Sequence, residues 1–131
     1  MSTRQDLSTG SKWEPIIGYC RAVKIGNSIF VSGTTGTDPA TGQVAKGDVY
    51  AQAKQALANI TAALAKLGAT HNDIVRTRIY LVDVKRDWEQ ASKAHGELFT
   101  TSRPATSLVG VAALIDDDML VEIEADVVLS A

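Results

Sequence analysis

The sequence is short of most features that would announce a function. Cysteine occurs once, at Cys20, so no disulfide can form within the chain and a disulfide scaffold is excluded. Positive charge is not in excess. Thirteen Lys and Arg against fifteen Asp and Glu give a net charge of −2, and the basic residues are scattered, which argues against a nucleic-acid or anionic-membrane surface. Nothing approaches the roughly 18 apolar residues that a membrane span needs. Met1 to Lys12 is polar, with no apolar run for a signal peptide or anchor, so a cytoplasmic location is the default expectation. No repeat, linker or low-complexity stretch interrupts the chain. Gly33, Gly36 and Gly42 fit neither common nucleotide-binding spacing. What is present is ordinary: 131 residues, 45% apolar and 21% charged, enough for one domain with a real core.

Periodicity supplies the architecture. Tyr19 to Lys24 and Ser28 to Gly33 are β-prone runs separated by Gly26-Asn27, the pattern of a hairpin. Thr34 to Gly47, rich in Thr, Pro and Gly, is predicted to be a loop. From Asp48 the period becomes helical. Ala53, Ala56, Leu57, Ile60, Ala63, Leu64 and Leu67 share one stripe, Asp48 is a plausible N-cap, and Gly68 sits where a C′ glycine belongs. Asp73 to Asp83 alternates, with Val75, Thr77, Ile79 and Leu81 on one face and Arg76, Arg78, Tyr80 and Val82 on the other. A second helix is predicted to be capped near Asp87, with Trp88, Ala91, His95, Leu98 and Phe99 along one stripe, and to stop before Pro104. Ser107 to Ala113 and Met119 to Leu129 read as the closing strands. Two helices on one side of a mixed sheet give a two-layer α+β domain over residues 1–131. Residues 1–12 are expected to be a flexible or strand-adding segment.

The uncovered sheet face would carry Arg76, Arg78, Tyr80, Glu122, Glu124 and Asp126. Each alone fits a solvated face with cross-strand ion pairs, each worth a few tenths of a kcal/mol. Together they suggest an oligomer surface, where sites often form. Other candidates point to bland roles. Cys20 has no histidine near it in sequence and reads as a buried structural thiol. His71 and His95 lack partner ligands for a metal. Asp116-Asp117-Asp118 reads as a solvated hairpin tip. No cofactor is expected.

An ordered set of short pieces narrows the field: Ile17-Gly18-Tyr19, Gly26-Asn27, Val31-Ser32-Gly33, the helix ending Leu67-Gly68, Val75 to Asp83, Arg103-Pro104-Ala105 and Val121-Glu122-Ile123-Glu124-Ala125. In this order they resemble the Rid (YjgF/RidA) family of enamine/imine deaminases over nearly the whole chain. The resemblance implies a chorismate-mutase-like fold and a homotrimer with sites in clefts between subunits. It also implies hydrolysis of a small reactive enamine or imine to a 2-oxo product and ammonia. Carried over residue by residue, it makes Tyr19 and Glu122 the catalytic candidates, with Glu122 handling the water. Ser32, Gly33 and Leu108 would help hold the substrate through backbone amides.

Archetypal members read Pro-Ala-Arg-Ser where this chain has Pro104-Ala105-Thr106-Ser107, and their arginine holds the substrate carboxylate. Thr106 offers a hydroxyl but neither a charge nor a bidentate fork. Losing a charge-assisted pair in a cleft costs on the order of 2–5 kcal/mol. Arg78 could supply the missing charge or could pair with Glu122 or Glu124, and Arg103 could supply it or stand as a surface residue before a proline. Two functions follow: a C=N hydrolase acting on a small metabolite, or a non-catalytic trimeric metabolite binder or protein-interaction module built on the same cleft.

Overall fold

The computed structural model describes residues 3–130. The chain runs β1 (Arg4–Leu7), α1 (Trp13–Ile17), β2 (Ala22–Ile25), β3 (Ser28–Thr35), α2 (Val49–Lys66), β4 (Ile74–Leu81), α3 (Val84–Leu98), β5 (Ala105–Gly110) and β6 (Val121–Val128), with a 3₁₀ turn at His71–Asp73. One six-stranded sheet has the order β1-β2-β3-β6-β4-β5. Only β4 and β5 run parallel, and every other neighbouring pair is antiparallel.

Alternation sorts the sheet into two faces. Val121, Ile123, Ala125 and Val127 of β6 are buried together with Ile29, Val31, Ile79 and Leu81 of the neighbouring strands. Against them lies the α2 stripe of Ala53, Ala56, Leu57, Ile60 and Leu64. Burying each Ile or Leu here contributes about 1.5–3 kcal/mol. α2 contacts β3 and β6, while α3 contacts β4, β5 and α2, so both long helices cover the same face. The other face keeps Arg76, Arg78, Tyr80, Glu122, Glu124 and Asp126, as the alternation implies. α2 begins at Asp48, whose carboxylate accepts from the Ala51 N–H at 3.0 Å, and the chain leaves it through Gly68 at φ +79°. Among the described residues no helix is long and apolar enough to cross a membrane.

Several sequence expectations shift. Arg4–Leu7 pairs with β2 as β1, and the short helix α1 after it was not foreseen. Thr34 and Thr35 belong to β3 rather than to the following loop, pairing with Ile123 and Glu122. Val75 is exposed, at 46%, because an irregularity between Ile74 and Arg76 inserts an extra residue and gives its place on the buried face to Ile74. The cap of α3 is Asp83, accepting from the Arg86 N–H at 3.1 Å. Asp87 lies in the first turn, where a negative charge also suits the helix dipole. Trp88 is exposed, and Ala91 and Ala94 carry the buried stripe. The apolar run starting at Ser107 forms an edge strand exposed along its whole length. Asp116 to Asp118 is no hairpin tip, since β5 and β6 are separated by β4.

Candidate functional site

The centre of the site is a break in the β3–β6 ladder. Val31 pairs with Ala125 and Thr34 with Ile123, so one extra residue is accommodated between them. This bulge brings the Gly33 backbone against the Glu122 side chain. A Cβ at position 33 would overlap the Glu122 carboxylate, so glycine is required here for close approach rather than for φ. Glu122 is half-buried, and burial pushes its carboxyl above the ordinary carboxylate range. The Arg21 charge opposes that shift and Glu124 adds to it. Among the described residues Glu122 has no hydrogen-bond or ion-pair partner. Its oxygens are left for a ligand or water.

Tyr19 reaches the cluster through a sharp reversal. α1 ends at Gly18 in the left-handed region, φ +90°, and the N–H groups of Gly18 and Tyr19 both donate to the Glu14 carbonyl. Arg21 then binds the pieces together. Its Nη1 donates to the Gly33 carbonyl at 2.8 Å and to Thr34 Oγ1 at 3.0 Å, and its Nη2 donates to the Tyr19 hydroxyl at 3.1 Å. The guanidinium also lies 5.4 Å from the Tyr19 ring centroid. Arg21 is only 8% exposed, and its acceptors are neutral. Arg21 thus links Tyr19 to Gly33, whose backbone lies against Glu122. Arg21 was missed, although it directly precedes helix-facing Ala22 and alternation puts it on the same open face as Glu122.

The remaining candidates separate. Ser32 has its N–H on the Arg21 carbonyl and its hydroxyl on the Cys20 carbonyl at 2.7 Å, so its own amide is not available to a ligand. Arg78 is paired with Glu124 and Asp126, each at 3.4 Å, with the Tyr80 hydroxyl on Glu124 at 2.6 Å. It is an ion-pair residue of the open face. Thr106 and Leu108 sit on β5, in register with Thr77 and Ile79 of the helix-covered face, with β4 between them and Glu122. Thr106 Oγ1 is 2.7 Å from Thr77 Oγ1, which is 2.9 Å from His95 Nε2. Within one chain, Thr106 therefore does not face Glu122. Arg103 lines a cavity of about 480 Å³ with His95, Phe99 and Pro104, away from Glu122. A larger cavity, about 670 Å³, is lined by Glu14, Pro15, Tyr19 and Cys20 among others. Cys20 is half-buried on it, not sealed in the core. Among the described residues no group of three or more His, Cys, Asp or Glu is placed to hold a metal.

Residues 9–129 match the family model described as Endoribonuclease L-PSP. A RutC family protein of Pyrococcus abyssi is 41% identical over 112 residues, covering 86% of this chain and 87% of that protein. A 2-iminobutanoate/2-iminopropanoate deaminase of Dermatophagoides farinae is 33% identical, covering 98% and 99%. Among solved structures, a YjgF/YER057c/UK114 family member from Mycobacterium tuberculosis superposes with a TM-score of 0.87 at 44% identity, covering 97% of this chain and all of that one. With its α+β, chorismate-mutase-like architecture, the chain belongs to the Endoribonuclease L-PSP family, the YjgF/RidA family that its sequence resembles.

Proposed function

We propose that this protein hydrolyses a small reactive enamine or imine to a 2-oxo product and ammonia, in a cleft between subunits of a homotrimer. The observation that carries the reading is Glu122: a half-buried carboxyl without a partner among the described residues, its proton affinity raised by burial, against the Gly33 backbone that Arg21 ties to Tyr19. Such a group is suited to general acid–base work. Ionised Glu122 takes a proton from water as the water oxygen bonds to the imine carbon and the C=N π pair moves to nitrogen. The protonated carboxyl returns that proton to nitrogen. Glu122, ionised again, then takes the proton of the new hydroxyl and passes it to the amino nitrogen, so that C=O forms as the C–N bond breaks and ammonia leaves. Tyr19 lies at the imine end, and Gly33 supplies the backbone surface.

The division of the remaining residues supports a site made by two copies. Thr106 and Leu108 lie on the exposed edge strand β5 and can join Glu122 in one cleft only across a subunit boundary. Leu108 and Val109 are each 38% exposed, and Phe30 and Val128 of the open face are more so. Oligomer burial would cover these apolar side chains.

The test generates imines in situ from several L-amino acids with an amino-acid oxidase and follows imine loss. The wild-type protein is expected to accelerate it. Thr106→Arg is expected to raise affinity for carboxylate-bearing imines by tens-fold to thousands-fold. No acceleration with any imine, by either protein, sinks the reading. One observation favours the non-catalytic alternative: the Thr106 hydroxyl is already engaged by Thr77 and the Pro104 carbonyl. Ligands that raise the melting temperature and are recovered unchanged would decide for a binder.

A further inference from the structure

The cation of the Glu122 cluster is Arg21, and nothing in the roles assigned above uses it. A guanidinium 8% exposed that meets three neutral acceptors is costly unless charges nearby offset its desolvation. Two carboxylates feel it, Glu14 on one side and Glu122 on the other, yet neither forms an ion pair with it. Its fork instead joins a phenol, a carbonyl at the bulge and a hydroxyl of β3. These are the groups that fix where Tyr19 and Gly33 lie relative to Glu122. The planar five-donor geometry of arginine suits such a junction, and lysine could not reproduce it.

We infer that Arg21 is the positioning residue of this site: it locks Tyr19 and the Gly33 bulge onto Glu122, and it supplies within the cluster the positive charge that position 106 lacks. The inference rests on the reading of Glu122 as the group that handles the water. Arg21 does not touch the reacting atoms. It acts through the place of Tyr19 and through the ionisation of Glu122. The other ionisable groups around Glu122 are Glu124 on its own strand, Tyr80 opposite it on β4 and Tyr19. Glu124 favours the protonated form of Glu122, and Arg21 is the cation that favours the carboxylate.

Two substitutions separate fork from charge. Arg21→Gln removes both, and kcat/KM on in situ imines is expected to fall about 10²-fold, the cost of a displacement of about 1 Å in a catalytic group. The acid limb of the pH–rate profile should also move to higher pH, because Glu122 then holds its proton longer. Arg21→Lys keeps the charge, so the acid limb should stay in place while kcat still falls. Titration of the Glu122 carboxyl by ¹³C NMR reads the same shift without turnover, so failure of the deaminase reading leaves this test intact. An unmoved Glu122 titration in a folded Arg21→Gln protein overturns the inference, as does full kcat in Arg21→Lys. Should Arg21→Gln not fold, Arg21→Lys decides alone: a reduced kcat with the acid limb in place supports the role, and wild-type kcat refutes it.

Discussion

Two polar clusters lie on opposite faces of one sheet, and they differ in whether they are complete. On the helix-covered face, Thr106, Thr77 and His95 form an unbroken chain of hydrogen bonds, 2.7 and 2.9 Å long, with Thr77 wholly buried. Burial holds the His95 imidazole below its ordinary pKa, which favours a neutral cluster. On the open face, Arg21, Tyr19, Gly33 and Glu122 form a charged cluster whose carboxylate has no partner among the described residues. A completed network stabilises and specifies a core. An incomplete one lowers stability and keeps capacity for a ligand, as functional sites commonly do.

The sharpest way to break the comparison is Glu122→Gln, which fills the same space without a charge. If the open cluster is the catalytic one, kcat should fall about 10²–10⁴-fold, the usual contribution of general acid–base catalysis. The same change should raise the melting temperature at pH 7. The sign follows from linkage: burial raises the folded pKa of Glu122 above the ordinary 4.5, so its contribution to stability is present below that value and is lost as pH rises through the folded one. A glutamine never pays that cost. The gain should vanish when both proteins are melted at acid pH. A Glu122→Gln protein that is less stable at pH 7 would mean that the carboxylate is a structural partner of Arg21, and the contrast between the clusters would collapse.

This contrast was only half legible in the sequence. Alternation along β6 and β4 separates the faces, and α2 announces itself through its stripe, Asp48 and Gly68, because these signals are local. Glu122, Gly33 and Tyr19 came from the order of short motifs; Arg21 ties Tyr19 to Gly33, and Gly33 lies against Glu122. Arg21 was overlooked because its role depends on three acceptors contributed by Tyr19, Gly33 and Thr34, and no spacing rule shows that a bulge will turn a carbonyl toward it. Arg78 was weighed both as a substitute anchor and as a partner of Glu122 or Glu124, and it pairs with Glu124. It does lie on the open face, but the register opposite Glu124 and beside Asp126 determines its pairing. Within one chain Thr106 lies away from Glu122. Its place in the motif says cleft, while the parallel pairing of β4 with β5 directs its hydroxyl to Thr77. That pairing is non-local and leaves no trace in periodicity.

A smaller effect tests the completed cluster. Thr77→Val is nearly isosteric and leaves His95 Nε2 and the Thr106 hydroxyl without their shared partner. Leaving a buried polar group unmatched costs about 1–3 kcal/mol, to be read as a lower urea midpoint at unchanged slope. A midpoint within error of wild type would show that water replaces Thr77 at no cost, and that the chain of hydroxyls does not contribute to the packing of α3.

The smallest effect gives the two clusters opposite pH signatures. Desolvation lowers the His95 pKa from its ordinary 6.5. Above pH 6.5 the imidazole is neutral in both folded and unfolded chains, and it contributes no pH dependence. Below that value the unfolded chain takes up a proton that the folded chain refuses, so stability falls until the pH reaches the folded pKa. Glu122 acts in the other sense, losing stability as pH rises. Urea midpoints measured from pH 7 down to pH 5 should therefore decline less steeply in His95→Gln than in wild type, while Glu122→Gln should decline more steeply, because it no longer has the compensating gain on acidification. Equal slopes for wild type and His95→Gln would mean that the folded imidazole protonates freely, opening the Thr77–His95 bond to solvent and making the helix-side cluster as incomplete as the one across the sheet.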